Sequence, residues 1–176
     1  ASGTIMCVST YASSTLEAVA QAGNGAPQWF QLYLSKDDAA NRELVKMAEK
    51  LGYEAIILTV DAPIGGNRIR DAKNNFKFPL SLPNVPKKSG KTKGQGIGAI
   101  FAAAQNELGP YDVMYVKSLT KLPVIVKGIQ HPDDADVAME ASKKIVEKFR
   151  AALGIDVNDR PQAVKRAIRA NKDLVF

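Results

Sequence analysis

Ala55-Ile-Ile-Leu-Thr-Val-Asp61 is the stretch of sequence that decides the fold. Its apolar residues are continuous rather than alternating, which is typical of a strand covered on both faces within a parallel sheet. Parallel strands need long connections, and these are usually helices. The stretch therefore predicts a βα repeat with a strand over Ala55 to Val60 and polar Asp61 directly after it.

The preceding residues fit the same repeat. Thr4 to Val8 and Trp29 to Leu34 are two further apolar runs of strand length. Between them, Ser14 to Glu17 matches the Ser-x-x-Glu capping box at the start of a helix. A second helix is predicted from the 3.6-residue apolar spacing of Leu44 to Leu51, with Gly52 at its carboxyl end. The order from the amino terminus is βαβαβ.

The following residues extend the repeat. Pro110 opens a predicted helix, Pro123 to Lys127 is a fourth strand, and two helical stretches lie between Asp133 and Phe176. Asp173 to Phe176 is a candidate fifth strand. A closed barrel of eight such units needs at least about 200 residues. The predicted fold is therefore α/β, a partial TIM-barrel-like repeat of four or five parallel strands with C-terminal helices.

Composition excludes several other classes of protein. The chain is 45% hydrophobic and 24% charged, the balance of a globular domain with a core. Its longest apolar run is far below the roughly 18 residues that cross a bilayer, so we expect no membrane segment. Cys7 is the single cysteine and is predicted to be a buried small hydrophobe. With no disulfide and no opening signal sequence, a cytoplasmic location is expected.

The net charge of +6 belongs to one segment. Between Ala72 and Asn106 there are six lysines and no acidic residue, together with prolines and glycines that leave little to bury. Three interpretations remain: a solvated surface loop, a loop that gates an anionic site, or a nucleic-acid surface. No aromatic residue is interleaved with the lysines from Lys87 to Lys93, so we expect no nucleic-acid partner. One histidine and one cysteine also give no metal-ligand spacing, so no metal site is expected.

Polar side chains stand at the carboxyl ends of all four predicted strands. Where two of them are two residues apart, they point to the same face of the sheet. The carboxyl ends of parallel strands are where α/β proteins place ligand sites. An internal hydrogen-bond network is the other explanation, but repetition at four strands favours a site. The residues are Ser9, Gln31 with Tyr33, Thr59 with Asp61, and Lys127.

Motifs around these residues resemble one known family. They are Gly3-Thr-Ile-Met6 leading to Ser9-Thr-Tyr-Ala12, Trp29-Phe-Gln-Leu-Tyr33, Ala55 to Asp61, Gly66-Asn-Arg68 with Asp71-Ala-Lys-Asn74, and Leu122 to Pro132. Over residues 1 to about 140 the chain resembles the FMN-dependent α-hydroxy acid oxidases and dehydrogenases, and most of all their lactate oxidases. The resemblance implies FMN as cofactor and a small 2-hydroxy acid as substrate.

The resemblance also assigns cofactor roles. Ser9, Gln31 and Thr59 are implied to hydrogen-bond the polar edge of the flavin ring, which their donor and acceptor groups allow. Lys127 is implied to stabilise the anionic reduced flavin by its charge. The basic segment, at about residues 72–106, is implied to be the family's active-site lid.

Catalytic and substrate roles follow from the same resemblance. Tyr33 is implied to face the substrate, and Arg68 to supply auxiliary positive charge for the hydroxy acid. Asp61 is implied to orient the family's catalytic histidine and stabilise its cation, the role of the third group in a triad. Tyr33 and Asp61 are thus the implied catalytic residues.

The sequence departs from the family after Lys127. The Ser-Asn-His-Gly motif that carries the family's general base is missing, and His131, the single histidine, lies in the turn before Pro132. We expect His131 to be a loop residue. The predicted function is a lactate-type oxidase that is incomplete and inactive alone. A non-catalytic scaffold, or a weakly flavin- or anion-binding half-barrel, is the alternative.

Organisation and partners complete the expectations. Residues 1–140 are predicted to form the flavin-oxidase-like region and residues 141–176 a C-terminal helical region of the same domain. Strands Thr4 to Val8 and Pro123 to Lys127 would leave open edges, and open edges promote pairing between chains. We therefore expect a homodimer or a complementing half-barrel chain.

Overall fold

The computed structural model describes residues 3–62, 64–85, 93–96, 98 and 101–140. Four strands and four helices follow one another along this part of the chain, with two of the helices between the third and fourth strands, and residues 132–140 are also helical. In chain order the elements are β1 (Met6–Ser9), α1 (Leu16–Gly23), β2 (Gln28–Leu32), α2 (Asp38–Lys50), β3 (Ala55–Thr59), α3 (Ile69–Lys73), α4 (Pro110–Leu119) and β4 (Val124–Lys127).

The strands form one parallel sheet in the order β1-β2-β3-β4. Each strand pairs with its neighbour in sequence, and the connections are the long crossovers that parallel pairing requires. The predicted fold class is confirmed, and every strand lies within two residues of its predicted bounds. The candidate fifth strand and the C-terminal region 141–176 lie outside the described residues.

One face of the sheet, the helix face, packs into a dry core. Alternate strand residues point to it, as the period of two requires. These residues are exposed by 2% or less and are Val8, Phe30, Leu32, Ile56 and Leu58. They belong to one apolar cluster with the buried sides of the three longer helices, to which Leu16, Val45, Ala48, Val113 and Val116 contribute. The helices therefore hold the sheet from one side and leave its opposite face to the site.

Helix α1 begins one residue later than the capping-box prediction. Thr15, not Ser14, is the N-cap residue, because its hydroxyl oxygen accepts a hydrogen bond from the Ala18 backbone N–H at 3.2 Å. Thr15 has extended backbone angles, which an N-cap residue adopts. The Ser14 carbonyl instead accepts a hydrogen bond from Asn84 Nδ2 at 3.0 Å.

The prediction that Cys7 is buried is wrong. Cys7 is exposed, although it lies within β1. Among the described residues β1 pairs only with β2, so the other side of this strand has no sheet neighbour there. Partial burial still raises the pKa of the Cys7 thiol, which keeps the thiol protonated.

The basic segment buries more than its composition indicates. Leu82 and Val85 are 5% and 7% exposed and form a small apolar cluster with Tyr11 and Phe78. Phe78 also exchanges backbone hydrogen bonds at 2.8 Å with residues 94 and 95. The described part of this segment is therefore attached to the loop after β1. Residues 86–92, 97 and 99–100 lie outside the described residues, and they include three of the six lysines, Lys87, Lys88 and Lys91.

The described residues contain neither a candidate membrane span nor a candidate metal site. No helix there has the length and apolar character to cross a bilayer. In the same residues, no three His, Cys, Asp or Glu side chains are grouped so that they could hold a metal ion.

Candidate active site

A row of hydrogen-bonded side chains runs across the carboxyl edge of the sheet. Ser9 Oγ donates to Gln31 Oε1 at 2.9 Å, and Gln31 Nε2 donates to Thr59 Oγ1 at 2.9 Å. We call Ser9, Gln31 and Thr59 the polar row. They come from β1, β2 and β3 and point away from the helix face, as does Lys127 at the end of β4. Three of the four predicted cofactor residues are thus joined by direct hydrogen bonds, and the fourth, Lys127, lies on the same face of the sheet.

Thr10 fixes the backbone behind this row. Its hydroxyl donates to the Gln31 carbonyl at 2.8 Å and accepts from the Tyr33 backbone N–H at 3.1 Å. Thr10 is only 3% exposed, so these bonds also satisfy a buried polar group. Thr10 was not predicted as a site residue from the sequence. The sequence feature that could have identified it is its position directly after Ser9, at the carboxyl end of β1.

Aromatic rings cover Tyr33. The Tyr11 and Tyr33 rings are stacked with centroids 4.9 Å apart, and the Phe101 ring stands edge-on to both, at 5.3 Å and 6.1 Å. Burial, and secondly the proximity of Tyr33, raises the pKa of Tyr11 to about 12. Tyr11 and Phe101 were also missed from the sequence, because their approach depends on how distant loops pack.

Phe101 is held by a short pairing beyond the end of β2. Ser35 forms an isolated antiparallel bridge with Ala104, and the Gln105 backbone N–H donates to the Leu34 carbonyl at 2.7 Å. These contacts bring the chain back from the basic segment to the strand that carries Tyr33. These pairings therefore hold Phe101 next to the residues that directly follow β2.

Lys127 and Asp61 form an ion pair. Lys127 Nζ lies 2.8 Å from Asp61 Oδ2, and the two side chains are 50% and 33% exposed. Thr59 and Lys127 are register partners, and the Val60 backbone N–H donates to the Lys127 carbonyl at 2.9 Å. This pairing places Asp61, two residues after Thr59, beside the end of β4. The structure thus brings the predicted cofactor cation and the predicted catalytic carboxylate together.

Among the described residues, Arg68 and His131 form no hydrogen bond or ion pair with these groups. Arg68 is the exposed N-cap residue of α3, and its side chain makes no capping hydrogen bond. His131 is exposed, and its Nδ1 lies 3.7 Å from Asp133 Oδ2 and accepts from the Asp133 backbone N–H. Its ring is therefore engaged at the start of the helical residues 132–140.

The polar row has the donors and acceptors that a flavin edge needs. Thr59 Oγ1 accepts from Gln31 and keeps its own O–H, and Gln31 keeps one amide N–H and part of its carbonyl capacity. Lys127 has three N–H donors, of which one serves Asp61. The pyrimidine edge of a flavin offers one N–H and two carbonyl oxygens, so these residues fit it.

A parallel βα repeat with convergent polar groups at the carboxyl edge of its strands defines a class of protein, the α/β small-molecule binding proteins of TIM-barrel type. The sequence comparison narrows that class. The chain belongs to the FMN-dependent dehydrogenase family, whose model matches residues 1–146. The predicted family, and with it the FMN cofactor of that family, is confirmed.

Individual relatives agree with this assignment. An L-lactate oxidase of Lentilactobacillus hilgardii is 46% identical over 140 residues, which are 79% of this chain and 38% of that protein. A 2-hydroxyacid oxidase of Dictyostelium discoideum is 43% identical over 140 residues, 78% of this chain and 36% of that protein. A crystal structure of a Pediococcus acidilactici lactate oxidase superimposes with a TM-score of 0.69 at 46% identity, covering 78% of this chain and 36% of that one. The chain therefore spans less than half the length of these relatives.

Proposed function

We propose that this chain carries the flavin-holding half of an L-2-hydroxy acid oxidase of the lactate type, and that it has little oxidase activity alone. The polar row is the single observation that carries the proposal. Ser9, Gln31 and Thr59 come from three strands yet form one hydrogen-bonded line with spare donors. The relatives named lactate oxidase and 2-hydroxyacid oxidase support the substrate class.

In this proposal the row and Lys127 hold the polar edge of FMN. The neutral side chains orient the ring by hydrogen bonds, and the Lys127 ammonium supplies positive charge at the same edge. FMN, when bound, is the group that accepts a hydride from the α-carbon of the hydroxy acid. The chain's own contribution is therefore orientation and charge.

The substrate is proposed to lie against Tyr33. The stacked Tyr11 ring fixes the plane of Tyr33, and Thr10 fixes its backbone N–H. Arg68, exposed at the start of α3, is proposed to supply positive charge to the carboxylate of the acid. Asp61 is proposed to serve as the carboxylate that orients a general base, as the family resemblance implies.

The second candidate function is a non-catalytic scaffold, or a weakly flavin- or anion-binding half-barrel. One observation favours it: His131 is the single histidine of the chain, and its described contacts are with Asp133. Histidine is the most common general base, because its pKa is near neutral. Without one at the site, the chain would bind without turning over.

An FMN titration tests the binding half of the proposal. We expect the protein to quench FMN fluorescence, and Gln31→Leu to weaken binding about 5- to 100-fold, the factor for unmade hydrogen bonds at a buried site. Gln105→Leu is the matched control, since Gln105 Nε2 makes an exposed bond to the Glu107 carbonyl. Equal affinity of the two variants, or no quenching by the wild-type chain, would contradict the proposed role of the row.

Anaerobic mixing of the FMN-loaded protein with L-lactate tests the catalytic half. We expect almost no bleaching of the flavin band, because the loss of a general base costs about 10²- to 10⁴-fold in rate. His131→Ala should leave that slow rate unchanged. Rapid bleaching that survives this substitution would mean that the chain contains another base.

Association and location belong to the same proposal. Among the described residues β1 pairs only with β2 and β4 only with β3, so both outer edges lack a strand partner there. We propose that a second copy or a complementing half-barrel chain covers them, and that the protein is cytoplasmic, in keeping with its single, unpaired cysteine. Size-exclusion chromatography with light scattering would contradict the association if the protein were a monomer at all concentrations.

The lid and the domain boundaries are also proposals. We propose that residues 1–140 and 141–176 form one domain, and that the basic segment at about residues 72–106 is a lid over the site. The attachment of Leu82 and Val85 to Tyr11 supports the lid, because Tyr11 is stacked on Tyr33. Hydrogen exchange should be fastest from about Pro79 to Gly98 and should slow when FMN and oxalate are added.

A further inference from the structure

The Asp61 carboxylate has a partner that its family role does not use. Its Oδ2 accepts a hydrogen bond from Lys127 Nζ at 2.8 Å, and no histidine faces it among the described residues. Lys127 has a flexible four-carbon stem, so an unpaired Lys127 would sample several rotamers. A carboxylate at the end of β3 restricts it to one position beside Thr59, its register partner.

The backbone next to Lys127 is shaped to permit this contact. Gly128 has φ +112°, in the region that favours glycine. A Cβ placed on Gly128 would lie 2.7 Å from Asp61 Cγ and 2.8 Å from the Asp61 backbone nitrogen. Both distances are shorter than real Cβ contacts, so any other residue at 128 would push Asp61 away from β4. The missing side chain is what lets the end of β3 approach Lys127.

We propose that Asp61 is a positioning residue for Lys127, and that Gly128 makes this possible by leaving room for Asp61. Asp61 holds the Lys127 ammonium at the end of the polar row, with its remaining N–H donors free for a ligand there. This role concerns the chain's own cation and needs no histidine. It rests on the proposed function only in that the ligand at the row is FMN.

The first experiment measures the pair without any cofactor. Trace labelling with acetic anhydride, read by mass spectrometry, reports the reactivity of each lysine separately. We expect Lys127 to react about two- to fivefold faster in Asp61→Asn and in Gly128→Ala, the range that partly exposed ion pairs support. Lys46, which pairs with Glu49 on the surface, is the internal reference and should not change. Unchanged Lys127 reactivity in Asp61→Asn would overturn the proposal.

A glycine control separates the steric effect from backbone strain. Gly25 also has a positive φ, +80°, but a Cβ placed there meets nothing within 4 Å. Gly25→Ala should therefore leave Lys127 reactivity at the wild-type value, whereas Gly128→Ala raises it. If Gly128→Ala fails to fold, as circular dichroism would reveal, the isosteric Asp61→Asn still decides the role of Asp61. Equal effects of the two glycine variants would overturn the role assigned to Gly128.

The second experiment asks whether Asp61 acts through Lys127. A double-mutant cycle compares the Kd for FMN in Asp61→Asn, Lys127→Met and the combined variant. We expect Asp61→Asn to change the Kd in the wild-type background and to leave it unchanged in the Lys127→Met background. The same fold-change in both backgrounds would overturn the positioning role. Absence of FMN binding by the wild-type chain would instead contradict the proposed function, and the labelling result would stand on its own.

Discussion

The two faces of the sheet are built by different rules. On the helix face, Phe30 and Leu58 are fully buried in a continuous apolar cluster. On the opposite face, which carries the polar row, only β3 contributes buried strand residues, among them Ile57 and Thr59, whereas Cys7 is exposed and Gln31 and Ile125 are half-buried. The helix face is held by apolar area removed from water, and the site face by a small number of directional hydrogen bonds. The helix face should therefore tolerate apolar substitutions that preserve volume, whereas the site face should tolerate only substitutions that keep its hydrogen bonds.

The largest effect is expected from truncation on the helix face. Phe30→Ala should lower the free energy of unfolding by about 3–5 kcal/mol, because it removes a fully buried ring that meets Tyr53 edge-on at 6.4 Å. Trp29→Ala, on the next residue but the opposite face, should cost less, since Trp29 is half-buried. Urea denaturation of both variants measures the difference. A larger loss for Trp29→Ala would mean that the site face carries the core.

Breaking the polar row should have the next largest effect on stability. Gln31→Leu leaves the hydroxyl groups of Ser9 and Thr59 without their partner, and Thr59 is only 2% exposed. We expect a loss of about 1–3 kcal/mol in the free energy of unfolding. Gln105→Leu, on an exposed bond, should stay within about 0.5 kcal/mol of wild type. Equal stability of the two variants would show that the row is not a structural unit.

The start of α1 gives a smaller and more local test. Thr15→Ala removes the N-cap acceptor of a helix that covers the helix face, and should cost about 1 kcal/mol. Ser14→Ala should cost less, because the described contact of Ser14 is made by its backbone carbonyl. Thermal unfolding of the pair distinguishes them. A larger loss of stability in Ser14→Ala than in Thr15→Ala would mean that Ser14 is the N-cap residue, as the capping-box motif predicts.

The smallest effect near neutral pH concerns Tyr11. Burial raises the pKa of its phenol to about 12 from an ordinary value of 10, so the folded state keeps the proton more tightly than the unfolded state does. The stabilisation from Tyr11 is therefore complete below pH 10 and is lost as the pH rises toward 12. Tyr11→Phe should flatten this alkaline loss of stability. Tyrosinate absorbance and circular dichroism measure ionisation and unfolding as the pH is raised. If the alkaline loss of stability were the same in Tyr11→Phe as in wild type, the raised pKa of Tyr11 would not be its cause.

The sequence predicts the helix face and the strands well because local pattern determines them. The unbroken apolar run of Ala55 to Leu58 predicts a buried strand, and the apolar spacing in α2 predicts a helix, each from local sequence alone. Cys7 was mispredicted because its exposure depends on which strands flank β1, and no local pattern records that. Tyr11 was missed as a site residue for the same reason, because its stacking on Tyr33 depends on how segments distant in sequence pack together.

The sequence predicted which residues form the candidate site better than it predicted the contacts between them. Polar residues at strand ends identified Ser9, Gln31 and Thr59, and the parallel register then placed them in line. The partnership of Lys127 with Asp61 was not predicted. It depends on β4 lying beside β3, across a connection that contains the whole basic segment. Only the three-dimensional order of the strands reveals it.

The sequential order of the sheet also constrains how the chain folds. Each strand pairs with the one made just before it, so β1, β2 and β3 can assemble while the rest of the chain is still being synthesised. The connection from Thr59 to Val124 is more than twice as long as the earlier ones. Each doubling of a loop adds only about 0.6 kcal/mol of closure entropy, but contacts between distant residues form slowly. The docking of β4 is therefore the late step, and the Lys127 end of the site is completed last.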